Sequence, residues 1–243
     1  LPAFKTEYFA TGIFPLYLSD INFILLVSST VLIAAAGYII NDYFDIHIDE
    51  INRPGKNIVG KSLSKKTAKY LYFLISAIGV FIGFYIALLI SKPVIGLLPL
   101  FAAISLWMYS SYYKRRLFTG NVIVSILCAL SVLLIGLYEP EFYRNFIFLL
   151  WYAVLAFMMS MIRELIKDMQ DLDGDELSQC KTAPVVLGIP KTKKIVLLLI
   201  FLTSAYISYI IYENFYINGV INFWYLISLF LIPLAALFYL VFS

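Results

Sequence analysis

Charged residues and cysteines are scarce in this sequence of 243 residues. Asp, Glu, Lys and Arg make up only 14% of the chain, whereas 62% of its residues are hydrophobic. Soluble domains carry about 25% charged residues, so the composition excludes an ordinary soluble protein and predicts an integral membrane protein. The two cysteines, Cys128 and Cys180, have no partner spacing for a zinc site or a disulfide framework. We expect both to be structural residues.

Seven apolar runs are long enough to cross a bilayer as helices, which takes about 20 residues each. They cover about residues 22–42, 67–90, 94–112, 119–138, 145–166, 191–212 and 222–242. The two longest connections, roughly 43–66 and 167–190, lie on the same side of the predicted membrane. This pattern predicts an all-α polytopic transmembrane helical bundle that forms a single domain over residues 1–243.

Basic residues are nearly absent from one side of this predicted bundle. That side holds only Lys5, Lys92 and Arg144 of the 18 Lys and Arg residues. By the positive-inside rule, the opposite, basic side faces the cytoplasm. This orientation puts the N-terminal loop outside, and the sequence begins with Leu-Pro rather than Met. The last apolar run ends at Ser243, just inside the basic side, which leaves room for a further span. We therefore expect that a first and a last helix are missing from this sequence.

An acidic cluster follows the first predicted span. Asp42, Asp45 and Asp49 are spaced i, i+3 and i+7, so a helix places them on one face, which Asn41 shares through its i+4 spacing to Asp45. Three stacked carboxylates repel one another, and hard divalent cations with oxygen ligands, Mg²⁺ above all, offset that repulsion. The single histidine, His47, lies off this face, and we expect it on the helix surface.

The same spacing recurs at the end of another predicted span, in Asp168, Asp171 and Asp175. One acidic triplet could be a solvated helix end, but two of identical spacing favour a paired site. Two facing carboxylate clusters are typical of sites that hold a diphosphate through bridging metal ions. A basic segment with Gly or Pro follows each triplet, which indicates two related halves with the site between them.

Basic residues near the two triplets are candidates for direct phosphate contacts, since metal ions leave part of the diphosphate charge to be balanced. The candidates are Arg53, Lys56, Lys114, Arg115, Arg163 and Lys167. Other basic residues are better explained by membrane topology or by contact with anionic lipid. Those residues are Lys61, Lys65, Lys66, Lys191, Lys193 and Lys194.

A diphosphate site at a membrane suggests a lipid-soluble remainder, such as a polyprenyl chain. Ionisation of that substrate gives an allylic cation, which aromatic faces can stabilise. Aromatic candidates near the cytoplasmic ends of the spans are Tyr38, Tyr43, Phe44, Trp107, Tyr109, Tyr112 and Tyr113. Ordinary interfacial aromatics are the alternative for each of them.

The two motifs, Asn41-Asp42-x-x-Asp45-x-x-x-Asp49 and Lys167-Asp168-x-x-Asp171-x-x-x-Asp175, resemble the paired signatures of the UbiA superfamily of intramembrane prenyltransferases. The resemblance covers essentially the whole chain, as one UbiA-like domain. It implies a bundle of nine helices, of which the seven predicted spans look like the second to the eighth. It also implies Mg²⁺-dependent transfer of a prenyl group from its diphosphate to an acceptor.

The resemblance also implies roles for individual residues. The metal ligands would be Asn41, Asp42, Asp45, Asp49, Asp168, Asp171 and Asp175. From the residues themselves, we expect Asp45, Asp171 and Lys167 to be most directly engaged in catalysis. Many members of the superfamily have Tyr at the position of Arg163, so this chain departs from the pattern there.

The acceptor is indicated by Ile51-Asn52-Arg53-Pro54, which most resembles the digeranylgeranylglyceryl phosphate synthase group. That group alkylates the hydroxyl of a glyceryl phosphate ether, so we expect geranylgeranylglyceryl phosphate as the acceptor. The segment 57–61 lacks the Pro-Ile-Pro-Ser-Gly-like run common in that group. Aromatic quinone precursors, 4-hydroxybenzoate or dihydroxynaphthoate, are therefore the alternative acceptors.

An ion-coupled transporter is the alternative outside the enzymes, since transporters also carry intramembrane carboxylates. Transporter carboxylates lie near the middle of the bilayer, whereas these acidic triplets lie at span ends beside long basic loops. This placement favours the prenyltransferase. We expect its partners to be the prenyl diphosphate, the acceptor and the lipid bilayer, with no nucleic acid and no obligatory protein partner.

Overall fold

The computed structural model describes residues 18–52, 54–55, 57–139 and 146–218, and structural statements below concern these residues. The α-helices of this part of the chain are α1 Asp20–Asn52, α2 Lys65–Leu89, α3 Leu97–Ser111, α4 Thr119–Tyr138, α5 Phe146–Gln170, α6 Leu172–Leu177, α7 Ala183–Leu187 and α8 Ile189–Asn218. Two 3₁₀ turns, Pro93–Gly96 and Tyr113–Arg115, lie on either side of α3. The described residues form no strand, so the prediction of an all-α fold is confirmed.

Six helices are long and apolar enough to cross a membrane: α1, α2, α3 with its preceding turn, α4, α5 and residues 189–212 of α8. They coincide with the first six predicted spans, which confirms a multi-pass membrane protein. Large apolar side chains such as Ile21, Phe81 and Phe201 are exposed on the outside of the bundle, where lipid would cover them. The seventh predicted span, 222–242, lies outside the described residues.

Helix α1 extends well beyond its predicted span. It contains 33 residues and is therefore about 50 Å long, compared with about 30 Å for the hydrocarbon core of a bilayer. The boundary predicted at about residue 42 is therefore wrong, whereas the prediction that Asp42, Asp45 and Asp49 lie on a helix is confirmed. No proline interrupts the helix before Pro54, and the apolar residue Ile48 is buried one turn after Phe44, which extends the packed face. The first acidic motif is thus entirely helical.

Close helix packing holds α1, which carries the first motif, against its neighbours. Helix α2 packs along α1, and α3 packs against both. Gly79 allows this approach, because a Cβ atom there would lie 2.8 Å from Cγ1 of Ile33 on α1. Ser29 adds a hydrogen bond from its Oγ to the Gly79 carbonyl oxygen, at 2.7 Å. Small residues at such contacts are the usual means of bringing membrane helices together.

The remaining helices hold the second motif. Helix α5 packs against α4 and α8, and the short helix α6 contacts α1. A buried apolar cluster that includes Ile162, Leu165, Ala183 and Val196 joins α5, α7 and α8. These contacts bring the end of α1, the end of α5 and the α3–α4 connection to the same end of the bundle.

Candidate functional site

Two side chains of the first motif, those of Asn41 and Asp45, contact one cationic nitrogen. The Nδ2 atom of Asn41 donates to Oδ2 of Asp45 at 2.7 Å, and the ammonium group of Lys114 forms an ion pair with Oδ1 of Asp45. The same ammonium group donates to Oδ1 of Asn41 at 3.4 Å. The ion pair is buried, with the Lys114 side chain 11% exposed and that of Asp45 9% exposed. An amide oxygen and a carboxylate oxygen thus converge on one positive charge.

Lys114 is fixed by the sharp connection between α3 and α4. It lies in the turn Tyr113–Arg115, and Gly120 at the start of α4 folds back on it so closely that a Cβ atom would lie 2.6 Å from the Lys114 Cα. Burial lowers the pKa of Lys114 to about 7, and the positive charges of Lys167 and Arg115 act in the same direction, while Asp175 opposes them. Lys114 therefore lies within electrostatic reach of both motifs.

The second motif spans a break between two helices. Asp168 lies in the last turn of α5, Asp171 has φ −95° and ψ 12° between the helices, and Asp175 lies in α6. The four-residue hydrogen-bond spacing continues across the break, from Asp171 N to the Lys167 oxygen at 2.9 Å and from Asp175 N to the Asp171 oxygen at 3.0 Å. The two triplets share their sequence spacing, but only the first lies on an unbroken helix.

Asp175 is buried beneath the loop that follows α6. The Thr182 hydroxyl donates to its Oδ2 at 3.0 Å. Burial raises the pKa of Asp175; the Thr182 hydrogen bond and the charges of Lys114 and Lys167 oppose this shift, while Asp171 adds to it. The backbone N–H of Lys181 also donates to the Arg115 carbonyl oxygen at 2.8 Å. The loop therefore ties the second motif to the turn that carries Lys114.

Lys167 and Lys114 connect the two motifs electrostatically. Both act on Asp42 of the first motif and on Asp175 of the second. The structure thus brings together the candidates Asp42, Lys114 and Lys167 with Asp175. Their roles in binding stay predictions.

Two asparagines also contact the second motif: Asn121, which the sequence did not mark as a site residue, and Asn52, noted above only as part of the segment that indicates the acceptor. Asn121, 6% exposed on α4, donates from Nδ2 to Oδ2 of Asp168 at 2.8 Å. Asn52, the last residue of α1, donates from Nδ2 to the Asp171 carbonyl oxygen at 3.2 Å and accepts from Gly174 N at 2.8 Å. The available sequence signal for Asn121 was its position, as a polar residue at the end of an apolar run. That signal did not indicate that Asn121 would contact Asp168.

Glu164 was also missed by the sequence analysis. It is 4% exposed, one helical turn before Asp168. It accepts a hydrogen bond from the Tyr109 hydroxyl at 3.2 Å and pairs with the guanidinium group of Arg163. A carboxylate inside an apolar run signals a functional position by default. Arg163, proposed above as a phosphate contact, thus has Glu164 as a partner, and its side chain is 61% exposed.

Other candidates lie in different surroundings. His47 is exposed, as expected for the helix surface. Phe44 and Trp107 pack edge to face at 5.6 Å, in a cluster that also includes Tyr43 and Tyr72. Tyr38 is 67% exposed on the outside of α1. The candidate phosphate contacts Arg53 and Lys56 lie outside the described residues.

The donor atoms of the first motif fit a hard cation, because they are carboxylate and amide oxygens. In the described part of the chain, however, no three His, Cys, Asp or Glu residues form a group that could hold a metal ion. Asp45 instead directs its oxygen at the Lys114 ammonium group. A metal ion bound at Asp45 would therefore compete with Lys114 for the same oxygen.

Comparison with known proteins assigns a family to this arrangement. The model of the UbiA prenyltransferase family matches residues 8–243. Digeranylgeranylglyceryl phosphate synthase of Methanosphaera stadtmanae is 31% identical over 194 residues, which cover 79% of this chain and 68% of that protein. The synthase of Saccharolobus solfataricus is 37% identical over 172 residues, which cover 70% of this chain and 58% of that protein. The chain thus spans roughly three fifths to two thirds of the length of these relatives.

Two solved structures share the fold. One, from work on digeranylgeranylglyceryl phosphate synthase in membranes, has a TM-score of 0.58 and 22% identity and covers 93% of this chain and 77% of that one. The other is a UbiA homolog from Archaeoglobus fulgidus bound to DMAPP and Mg²⁺, with a TM-score of 0.61 and 17% identity, covering 93% of this chain and 76% of that one. At these identities the likeness concerns the fold.

Proposed function

The chain belongs to the UbiA prenyltransferase family, and from this premise we propose that it transfers a polyprenyl group from a prenyl diphosphate to the hydroxyl of geranylgeranylglyceryl phosphate, with Mg²⁺. The observation that carries the proposal is that the two acidic motifs meet at one end of the bundle, where Lys114 pairs with Asp45 and Asn52 at the end of α1 hydrogen-bonds to the backbone of Asp171 and Gly174. The similarity to several digeranylgeranylglyceryl phosphate synthases supports the choice of acceptor.

The acidic side chains would hold the metal ions. The ligands we propose are Asn41, Asp42, Asp45 and Asp49 from α1, and Asp168, Asp171 and Asp175 from α5 and α6. Mg²⁺ held by these residues would supply positive charge that offsets the negative charge of the diphosphate and makes it a better leaving group. Asn41 orients the Asp45 carboxylate through its 2.7 Å hydrogen bond.

The basic side chains would neutralise the negative charge of the diphosphate that the metal ions do not offset. Lys114 and Lys167 act electrostatically on both motifs, and the exposed Arg115 lies beside Lys114. Lys114 contacts Asp45, so a diphosphate oxygen together with a metal ion could replace that contact without leaving the ammonium group unpaired. Arg53, Lys56 and Arg163 remain candidates for further phosphate contacts.

In the proposed reaction, the bond between C1 of the prenyl group and the diphosphate oxygen breaks, and its electron pair leaves with pyrophosphate. The acceptor hydroxyl oxygen forms the new ether bond to C1, and its proton passes to the departing pyrophosphate. The burial of the site would exclude water, which could otherwise capture the allylic cation. Residues 1–243 would act as a single membrane domain.

We further propose that the site faces the cytoplasm. The basic residues Lys61, Arg116 and Lys181 lie in the connections at the end of the bundle where the motifs meet, and the positive-inside rule assigns such an end to the cytoplasm. Cysteine labelling of Ser178→Cys from either side of sealed inverted vesicles tests this orientation.

The acceptor is tested with radiolabelled geranylgeranyl diphosphate and membranes that contain the protein. Geranylgeranylglyceryl phosphate and 4-hydroxybenzoate are offered separately, with Mg²⁺ and with EDTA. We expect label to pass only to the glyceryl phosphate, and only with Mg²⁺. Transfer to the aromatic acid would show that the acceptor is an aromatic quinone precursor instead. Absence of transfer to any acceptor would contradict the proposal.

A further inference from the structure

Asn52 lies at the point where the two acidic motifs meet. It ends α1, three residues after Asp49, and its half-buried side chain reaches the break between α5 and α6. Its Oδ1 accepts from Gly174 N at 2.8 Å, and its Nδ2 donates to the Asp171 carbonyl oxygen at 3.2 Å. One amide therefore satisfies a donor and an acceptor of the same backbone turn.

The backbone at this turn is shaped to receive the amide. Gly174 is buried, and a Cβ atom there would lie 2.5 Å from Nδ2 and 2.7 Å from Oδ1 of Asn52. Any other residue at position 174 would displace the Asn52 side chain. Asp171 and Asp175 lie on either side of Gly174, so the position of this turn relative to α1 sets the position of two proposed metal ligands.

We infer that Asn52 is a positioning residue, whose amide sets the register between the acidic motif of α1 and that of α5 and α6. The consequence of this positioning is that both motifs bind the same metal–diphosphate group, and that consequence rests on the proposed function. Removal of a side chain that orients a metal ligand without binding the metal itself typically lowers metal affinity about 10-fold to 100-fold. Asn52 contacts the backbone beside two ligands rather than the ligands' carboxylates.

The chain offers a matched control in Asn57. Its Nδ2 donates to the Ile46 carbonyl oxygen at 2.9 Å and to Oε2 of Glu50 at 3.2 Å, so both of these contacts return to α1. Asn57→Ala removes an amide of the same size whose two contacts go to α1, and it leaves the second motif unchanged. The comparison separates the loss of any asparagine from the loss of the connection between the motifs.

The first measurement is hydrogen–deuterium exchange with mass spectrometry on the full chain in detergent, for a peptide that covers residues 172–178. We expect faster exchange in Asn52→Ala, because the Gly174 N–H loses its acceptor, and unchanged exchange in Asn57→Ala. Unchanged exchange in Asn52→Ala would overturn the inference. This result does not depend on activity, so it stands even if no prenyl transfer is found.

The second measurement is the rise in melting temperature caused by Mg²⁺ with inorganic pyrophosphate, which reports binding to the folded state. We expect Asn52→Ala and Gly174→Ala to need about 10-fold more Mg²⁺ for the same rise, and Asn57→Ala to match the parent. The double variant should be no worse than Asn52→Ala, since the clash at position 174 disappears. Faster exchange with an unchanged Mg²⁺ requirement would show a purely structural contact and overturn the positioning role.

Discussion

The amide of Asn121 donates a 2.8 Å hydrogen bond to the carboxylate of Asp168, across the contact between α4 and α5. Asn121 is 6% exposed and lies in the first turn of α4, just after the turn that carries Lys114. The first residue of the second motif is thus oriented by a helix that contributes no acidic residue to the site. A buried neutral donor can hold a carboxylate in place without competing with a metal ion for its charge.

Replacement of Asn121 by alanine should weaken prenyl transfer. Loss of the hydrogen bond frees the Asp168 carboxylate to rotate, and we expect kcat/KM for the prenyl diphosphate to fall about 10-fold to 100-fold. Steady-state kinetics at saturating acceptor measures the change. Ser125→Ala is the control, because the Ser125 hydroxyl donates to the Asn121 carbonyl oxygen at 2.7 Å and contacts Sδ of Met161 at 3.9 Å, and neither atom belongs to an acidic motif. Equal losses in both variants would contradict the role of the Asn121 side chain.

Replacement of Lys114 by glutamine should nearly abolish transfer. Removal of one partner of a buried ion pair commonly costs about 3–5 kcal/mol, and here it also removes a charge proposed to bind the diphosphate. We expect a higher KM for prenyl diphosphate together with a lower melting temperature. Arg116→Gln is the control, since Arg116 stacks on the Tyr112 ring at 4.0 Å and is exposed. A Lys114→Gln variant with the parent KM would rule out the proposed phosphate contact.

Tyr109 and Glu164 should be coupled energetically. The Tyr109 hydroxyl donates to the Glu164 carboxylate at 3.2 Å, and Glu164 is 4% exposed. We expect Tyr109→Phe and Glu164→Gln to lower stability individually and the double variant to lose less than their sum, with a coupling of about 1 kcal/mol. Thermal unfolding in detergent measures all four proteins of the cycle. Strict additivity would mean that the hydrogen bond contributes nothing to stability.

Cys180 should resist alkylation in the native protein. It is 3% exposed, and burial together with the charge of Asp175 raises the pKa of its thiol, so little reactive thiolate is present near neutral pH. Mass spectrometry after brief iodoacetamide treatment at pH 8 should find residue 180 unmodified, and modified after unfolding in SDS. Rapid modification before unfolding would contradict the buried position of this residue.

The spans could be predicted from sequence because membrane helices depend on local composition. An apolar run of sufficient length has few alternatives to a helix in a bilayer, since every backbone polar group must be satisfied internally. The same reasoning placed Asp42, Asp45 and Asp49 on one helical face. It failed at the end of α1, where the helix continues to Asn52 because side-chain packing extends beyond the apolar run.

The contacts of the site could not be predicted, because they join residues distant in sequence. Asp45 and Lys114 are 69 positions apart, and Asn52 and Gly174 are 122 positions apart. No periodicity encodes which turn of one helix meets which turn of another. The helix break at Asp171 was missed for a related reason: the spacing of its three aspartates is the same as in the continuous helix α1.

The most direct test of the account is Mg²⁺-dependent binding of geranylgeranyl diphosphate to the purified protein and to Asp45→Asn and Asp171→Asn variants. The substitutions preserve side-chain size and remove one charge from each motif. If both motifs hold the same metal–diphosphate group, the parent should bind with Mg²⁺ but not with EDTA, and each variant alone should lose most of the Mg²⁺-dependent affinity. Binding that is independent of Mg²⁺, or a variant of either motif that binds like the parent, would contradict the paired site.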